Sequence, residues 1–514
     1  MDLLSYVDKD IEVVGTVEFD AGSEQLKKQL LALRKDTFKL NERIVIVQRS
    51  VDYYPFIDAC GSKLIELQKI VNQVDIGNCF ILILTPNTKI QTEIAEVNTV
   101  YSSDTTLFTS CVYPGNYKVT VPSYKDTACK KLWNHLYVGT DSNVLPCCIA
   151  DHRYPLGNIK EQSIEDILDS SQAQNIRQWM IKGYRTKCCS ECYKKEDNNL
   201  QSMRQKFKPI SVSRQKVTFL DVRLNNICNF KCRMCSEYFS SSIQQETVEI
   251  FGKDAVLGYE KISLDSSTRK DRQKNLEKLK PYLTNDLEKI YFAGGEPLIT
   301  EEHYGILDQL IEVKNFDIKL LYNTNLSKLT YKNNNIFDYW KQFSNISVGA
   351  SIDASGQVAE YMRHGTVWQD IIDNINAIKS HTPHVDLHIS STVSWPTLDN
   401  LIKLQTHWID TELFTPDQLR ITTLVDPRYL CVTTLPDVHK KHLTIQINNH
   451  IDYIGQCELA QNWAELRNFM NSIDTQYELN EFTKRTVTLD KHRNESFSMI
   501  FPQFKALFSI ANKT

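Results

Sequence analysis

The stretch VTFLDVRLNNICNFKCRMC, residues 217–235, decides how the chain is read. Val217–Leu224 has the length and apolar content of a buried strand. Cys228, Cys232 and Cys235 follow it on one short loop. Three thiolates so close together can hold three corners of an iron–sulfur cube and leave the fourth iron without a protein ligand. An open coordination position is where chemistry can happen, so the spacing points to catalysis more than to electron storage.

Working outward, the alternation of strand and helix repeats to residue 430. Strands are predicted at Val217–Leu224, Lys289–Ala293, Ile318–Tyr322, Ile346–Ile352, Val385–Val393 and Gln418–Val425. Helical stretches such as Glu301–Lys314 and Trp368–Ser380 separate them. Six such units over residues 216–430 specify an α/β fold, an open partial (β/α)6 barrel whose site lies at the C-terminal strand ends. The three-cysteine loop follows the first strand and so opens on that face.

Three further regions flank or precede it. Residues 1–118 read as a small α/β domain of unknown role with a parallel sheet. Its strands are Ile11–Glu18, Arg43–Gln48 and Cys79–Leu84, set among helical stretches Glu24–Lys35, Lys63–Gln73 and Thr92–Val100. Residues 119–205 are irregular and cysteine-rich, with one helix from Ser163 and a second over Gln172–Lys182. The basic segment Met203–Lys216, carrying Arg204, Lys206, Lys208, Arg214 and Lys216, reads as a solvated linker. Residues 431–514 form a helical C-terminal extension. The run Arg269–Lys280, rich in Lys and Arg, reads as a solvated helix face.

Composition narrows the class. The chain has 514 residues, 41% of them hydrophobic, enough for two to four domains. Lys and Arg number 59 against 63 Asp and Glu, a balance that excludes bulk nucleic-acid binding. The start, MDLLSYVDKDIEVVG, lacks a basic n-region and an apolar run, and Phe80–Leu84 is too short to span a bilayer. The expectation is a soluble cytoplasmic protein with no membrane contact. In that reducing compartment clustered cysteines read as metal ligands. Nine of the 14 cysteines lie between Cys129 and Cys235, whereas Cys60, Cys79, Cys111, Cys431 and Cys457 are scattered and read as ordinary thiols.

Cys-x3-Cys-x2-Cys after a first barrel strand resembles the radical S-adenosylmethionine (radical SAM) superfamily. The resemblance implies a [4Fe–4S] cluster on Cys228, Cys232 and Cys235, with S-adenosyl-L-methionine chelating the fourth iron. Reductive cleavage there gives a 5′-deoxyadenosyl radical that abstracts hydrogen from a substrate. Later segments follow in the family's order. Gly294-Gly295-Glu296-Pro297 after the second strand is similar to the family's GGEP, which holds the methionine amino group. Asn323 and Asn325 end the third strand, and Ser351 and Asp353 end the fourth. Their positions resemble those of polar residues near the ribose and carboxylate of the cofactor, although helix capping is the plain alternative for each. Arg363, in Tyr361-Met362-Arg363-His364-Gly365, is the expected partner of the cofactor carboxylate. Val393 stands where the family often packs an apolar residue on adenine. Met234 replaces the aromatic residue common before the third cysteine, and its thioether suits a ring edge.

Upstream, Cys129, the pair Cys147-Cys148, the pair Cys188-Cys189 and Cys192 form a second group. Four of the six can build an S4 cage for zinc or for a fully ligated cluster. The surrounding VLPC (144–147), LGNI (156–159), SIEDIL (163–168) and CSEC (189–192) resemble SPASM and twitch auxiliary-cluster domains. That pattern implies Cys129, Cys147, Cys189 and Cys192 as ligands of one auxiliary [4Fe–4S] cluster, with Cys148 and Cys188 as alternates. Such a domain more often follows the barrel than precedes it.

The resemblance implies an enzyme acting on a peptide or a small molecule, supplied with electrons by a donor such as flavodoxin or ferredoxin. Auxiliary domains of this kind are frequent in peptide-modifying members, which makes a peptide or protein substrate the leading expectation. The competing readings are a non-catalytic iron–sulfur or zinc scaffold or redox sensor, and an enzyme acting on RNA. His135, His152, His303 and His364 carry no metal-ligand spacing and read as ordinary polar residues.

Overall fold

Six parallel strands in sequence order build the central sheet of the larger unit: β1 (Phe219–Val222), β2 (Lys289–Phe292), β3 (Lys319–Thr324), β4 (Asn345–Ala350), β5 (Asp386–Val393) and β6 (Leu419–Thr423). The computed structural model describes residues 127–197, 201–207, 216–255 and 269–507, together with the backbone of four short strands between residues 11 and 111. Each barrel strand pairs in parallel with the next, for example Lys289 with Lys319, Ser347 with Asp386 and Ile389 with Leu419. The sequence-predicted strands are thus found within two residues at either end, and their order is the expected one.

Alternation along the strands explains the layering. Leu320 and Tyr322 of β3, Val348 of β4 and Leu387 and Ile389 of β5 are buried. They share one face of the sheet by register and period two. Helices pack by apolar positions at helical spacing: His303, Ile306, Leu307 and Leu310 in Glu301–Glu312, and Ile371, Ile375 and Ile378 in Trp368–His381. Isoleucine costs a few tenths of a kcal/mol in helix propensity. Burial contributes about 1.5–3 kcal/mol per side chain and outweighs that cost. Glu301 and Glu302 in the first helical turn complement the N-terminal end of the dipole.

Two differences from expectation concern connectivity. The strand His135–Val138 lies beside β1 and extends the sheet, with the Arg223 amide donating to the Val138 carbonyl at 2.9 Å. Residues 136–144 and 158–163 accordingly group with the barrel, while 145–157 and 164–216 group with Cys129. An uncovered β1 would leave a row of backbone donors and acceptors, and this short strand satisfies them. Near the N-terminus, Ile11–Glu18 pairs with Arg43–Arg49, and Thr99–Tyr101 with Phe108–Cys111, both antiparallel rather than parallel. An apolar run reveals a strand but not its direction, which depends on how the connection returns. The predicted strand Cys79–Leu84, the helices Glu24–Lys35 and Lys63–Gln73, and Cys60 lie outside the described residues. Thr92–Val100, expected as helix, ends in strand at Thr99.

Other expectations hold in outline. Ile164–Leu168 and Ser171–Ile181 are helical, the latter capped by the Ser170 side chain accepting from the Ala173 amide. The C-terminal extension is helical over Asp437–Ile454, Glu458–Ser472 and Leu479–Arg493. Arg204 departs from the linker reading. Its guanidinium is buried, forked onto Glu196, and lies 5.1 Å from the Tyr193 ring centroid. Lys208 and Arg214 lie outside the described residues. Among the described residues no helix is long and apolar enough to cross a membrane.

An aromatic core holds β2 and β3 together. Phe292 stacks on Tyr322 at 5.0 Å between centroids, and His303 meets both edge-on. His303 Nε2 lies 3.1 Å from the Tyr322 hydroxyl, and burial pushes its pKa down from 6.5 to about 3. The folded state therefore holds His303 neutral. Its contribution is complete above pH 6.5 and is lost as pH falls from 6.5 toward 3. At pH 5 the loss is about 2 kcal/mol. His303→Gln is expected to flatten the fall in melting temperature between pH 7 and pH 5, measured by thermal scans.

Candidate active site and auxiliary cysteine centre

The loop that leaves β1 is tied down at nearly every residue. The Asn225 side chain accepts from the Ile227 amide and donates to Glu302 Oε2 at 2.8 Å. Three serines at the start of the next helix hold the cysteine segment. Ser240 Oγ donates to the Phe230 carbonyl at 2.8 Å, Ser241 Oγ accepts from the Cys228 amide at 3.3 Å, and Ser242 Oγ donates to the Cys228 carbonyl at 2.6 Å. Asn229 donates to Ser327 Oγ and accepts from Asn325 Nδ2 at 3.0 Å, so the end of β3 grips the same loop. Lys231–Cys232 forms a two-residue ladder with Arg363–His364, placing Arg363 opposite Cys232.

These constraints hold the three cysteines on one short loop, spaced too widely for a single metal ion, since among the described residues no three Cys, His, Asp or Glu side chains are arranged to hold one. Burial pushes the Cys228 thiol well up, and the charges of Cys232 and Cys235 raise it further. Burial and Cys232 push Cys235 up to about 12. Cys232 is also raised by burial but pulled back by the Arg363 guanidinium, whose Nη1 is 3.7 Å from its sulfur. Three neighbouring thiols, Cys232 buried and Cys228 and Cys235 half-buried, resist ionisation unless positive charge offsets them. Iron supplies that charge, so this donor set fits a cluster.

The glycines of Gly294–Pro297 serve the loop itself. Gly294 adopts φ +118°, and a Cβ on Gly295 would lie 2.1 Å from the Ile227 carbonyl oxygen. The close backbone approach expected toward a ligand is here made to the cysteine loop, sealed by the Glu296 amide donating to the Ile227 carbonyl at 2.7 Å. Glu296 is 1% exposed. Its carboxylate accepts from Thr324 Oγ1 at 2.7 Å and from the Asn325 and Leu298 amides at 2.6 and 3.1 Å. Burial pushes its pKa up to about 7 against the pull of those hydrogen bonds. Pro297 follows, buried, at the first position of a short 3-10 turn. Thr324, overlooked in the sequence between two asparagines, thus ties the end of β3 to β2.

The other expected residues divide. Asp353 and Arg363 face each other, with Nε donating to Oδ2 at 2.7 Å, and Asp353 also accepts from the Thr392 amide at 2.7 Å. The sequence marks the two as separate cofactor contacts; in the structure they also pair with each other, and Asp353 orients Arg363 toward Cys232. Asn325 joins the cysteine loop, as above. Asn323 is exposed, and its Oδ1, His388 Nε2 and Ser390 Oγ converge to within about 3 Å of where a Gly349 side chain would begin. Ser351 continues from β4 with its amide donating to the Thr324 carbonyl at 2.8 Å. Met234 is half-buried on the cysteine loop. Val393 is fully buried on the strand face shared with Leu387 and Ile389, so the structure does not gather it with this group. His364, read as an ordinary polar residue, is paired, its Nδ1 2.6 Å from Glu495 Oε1.

The second cysteine group lies in the smaller unit. Burial pushes Cys129 up to about 11, with Cys192 adding to the rise and Lys131 opposing it. Burial also raises Cys147, followed by the charges of Cys148 and, more weakly, Cys129. Cys189 is raised by its contact with Cys188, 3.9 Å between sulfurs, then by burial and by the charge of Cys147. Charge influence thus links Cys192 with Cys129, Cys129 with Cys147, and Cys147 with Cys189. Cys148 and Cys188 touch it through their sequence neighbours, and the Cys188 thiol donates to Thr186 Oγ1 at 3.5 Å. As at the first site, these thiols are not arranged to hold a single metal ion. Four grouped, mostly buried thiols fit an iron–sulfur cluster for the same electrostatic reason as the first site.

Comparison with known proteins bears on both sites. A family model for the radical SAM superfamily matches residues 222–396, and one for the SPASM iron–sulfur cluster-binding domain matches residues 129–193. No curated protein matches the chain. Among solved structures, native anSMEcpe with bound AdoMet is 18% identical, covering 50% of this chain and 62% of that one, with a TM-score of 0.30. The same protein with AdoMet and the Cp18Cys peptide is 17% identical over the same shares, with a TM-score of 0.29. TYW1 with a lysine–pyruvate adduct is 13% identical, covering 43% of this chain and 70% of that one, with a TM-score of 0.23. The chain spans 62% of the length of the first two of these.

Proposed function

We propose, from the radical SAM match over residues 222–396 and the SPASM match over residues 129–193, that the chain is a radical SAM enzyme whose [4Fe–4S] cluster sits on Cys228, Cys232 and Cys235. Those three thiolates would hold the cluster, and when bound it would supply the one-electron chemistry that cleaves S-adenosyl-L-methionine and opens the way to hydrogen abstraction from the substrate. The chain's own residues do the rest. The serines 240–242 and the Gly294–Glu296 backbone hold the thiols in place. Arg363, oriented by Asp353, sets a positive charge beside Cys232. Asn323, His388 and Ser390 line the space over Gly349 with polar groups suited to a substrate or to the cofactor ribose.

The observation that carries this reading is the placing of three cysteines on one loop, Cys232 buried and Cys228 and Cys235 half-buried, braced by the segments after β2 and β3 and by Arg363. Anaerobically reconstituted protein, given dithionite and S-adenosylmethionine, should form 5′-deoxyadenosine. Formation no greater than that of a triple-cysteine variant would overturn the proposal and favour a non-catalytic scaffold.

Cys129, Cys147, Cys189 and Cys192 hold the auxiliary cluster in this reading, and a peptide or protein side chain or backbone is the substrate. The peptide class rests on the SPASM domain, a kind frequent in peptide-modifying members. A flavodoxin or ferredoxin supplies the electron. Cys129→Ala is expected to remove about half the bound iron, one cluster of two, while cofactor cleavage stays detectable. Iron and sulfide counts on the purified variant check this, and loss of all iron would show that the two centres assemble together.

A further inference from the structure

Arg233 lies between two of the three cysteines, yet its side chain turns away from them to the C-terminal extension. Its Nη2 donates to Asp490 Oδ1 and to Glu495 Oε2, both at 2.6 Å, and its Nε to the Tyr361 carbonyl at 3.2 Å. The guanidinium lies 3.8 Å from the Tyr361 ring centroid, and its side chain is 5% exposed. Asp490 also accepts from the Tyr361 hydroxyl at 2.6 Å and from the Phe497 amide at 2.7 Å. The second oxygen of Glu495 lies 2.6 Å from His364 Nδ1, next to Arg363. Arg493 forks onto Glu246 at 2.9 and 2.6 Å, and Lys231 of the cysteine loop lies 3.5 Å from the same carboxylate. Asn494, at φ +55°, turns the chain out of the helix so that Arg493 and Glu495 reach opposite partners.

Two segments meet in this network: the loop bearing the cysteines and the strand bearing Arg363. We propose that residues 479–504 are a clasp that sets the geometry of the cluster loop, with Asp490 and Glu495 as positioning residues acting through Arg233 and His364. The clasp is built from charge-assisted, nearly dry contacts, where a missing partner leaves a charge stranded. Phe497 and Phe501 pack against Tyr361 at 6.1 and 5.6 Å between centroids, and Trp395 meets Phe482 at 4.7 Å, so apolar contacts anchor the clasp independently of the ion pairs. This inference rests on the assignment of the cluster to Cys228, Cys232 and Cys235, but its test separates the two.

The test is hydrogen–deuterium exchange on the metal-free full chain. Glu495→Ala keeps the Asp490–Arg233 pair and the aromatic anchors. It should speed exchange in residues 228–236 and 361–365 by at least about tenfold, with the rest of the barrel unchanged. Lys491→Ala, an exposed change on the helix Leu479–Arg493 that precedes Glu495, should leave those segments as in the wild type. Exchange in 228–236 that stays at the wild-type rate in Glu495→Ala would overturn the clasp. Should Glu495→Ala not fold, Arg233→Lys asks the same question, since an ammonium cannot span both carboxylates and the Tyr361 carbonyl; a wild-type rate in that variant would overturn it equally. In reconstituted protein the clasp further requires a shifted midpoint potential and an altered electron paramagnetic resonance signal on adding S-adenosylmethionine. Wild-type iron content with no such changes would count against it. Absence of iron from the wild-type triad would instead defeat the cluster assignment and leave the exchange result standing.

Discussion

Replacing Cys232 with alanine is expected to abolish 5′-deoxyadenosine formation and to strip the iron bound by the loop of residues 228–235. The loss should exceed the roughly 10- to 100-fold that removal of a residue merely supporting a metal ligand costs. Cys232 is buried, pairs through its backbone with Arg363, and has the Arg363 guanidinium on its sulfur. Alanine there removes one of three corners and leaves the guanidinium facing a methyl group. Cys431 supplies the contrast. It too is buried, but its sulfur accepts a hydrogen bond from Thr433 Oγ1 at 3.2 Å. Cys431→Ala should leave iron content and cofactor cleavage unchanged. Iron analysis and chromatographic detection of 5′-deoxyadenosine, run side by side on both variants, check the pair of expectations.

Gly295→Ala should be nearly as damaging, for a reason of space alone. The added Cβ would fall 2.1 Å from the Ile227 carbonyl oxygen and 2.7 Å from the Asn226 carbonyl carbon, both backbone atoms that cannot swing aside. The loop or the end of β2 must move, at a cost of about 3 kcal/mol or more. Since the displaced residues lead directly into Cys228, iron binding should fail along with stability. Gly356→Ala isolates the other way in which a glycine can be needed. Its φ is +54°, but nothing lies within 4 Å of a Cβ there. Only backbone strain applies, about 1 kcal/mol, and iron content should be normal. Melting temperature and iron per chain distinguish the two.

Much of the barrel was legible because its signals are local. An apolar run of strand length followed by an amphipathic helix marks each unit, and six in succession leave few topologies. The short strand at residues 135–138 was not legible, because four residues among cysteine-rich text carry no periodicity. The direction of the N-terminal strands was misjudged for a related reason, since direction is a property of connections. In the site, Glu296 was found by its neighbours Gly294 and Gly295, but its partners Thr324 and the Asn325 amide sit 28 and 29 residues away. Arg363 and Asp353 were each noticed as ligands for something else, and their pairing was not.

Cysteine spacing and strand–helix rhythm are enough to name the chemistry, since a donor set and its loop are short-range features written within eight residues. The clasp could not be read that way. Arg233 meets Asp490 and Glu495 across 257 and 262 residues of chain. An exposed arginine and a buried, paired one look alike in a list of letters. Only folding removes the water that would otherwise make that contact weak, and so only the folded chain shows which charges are held together.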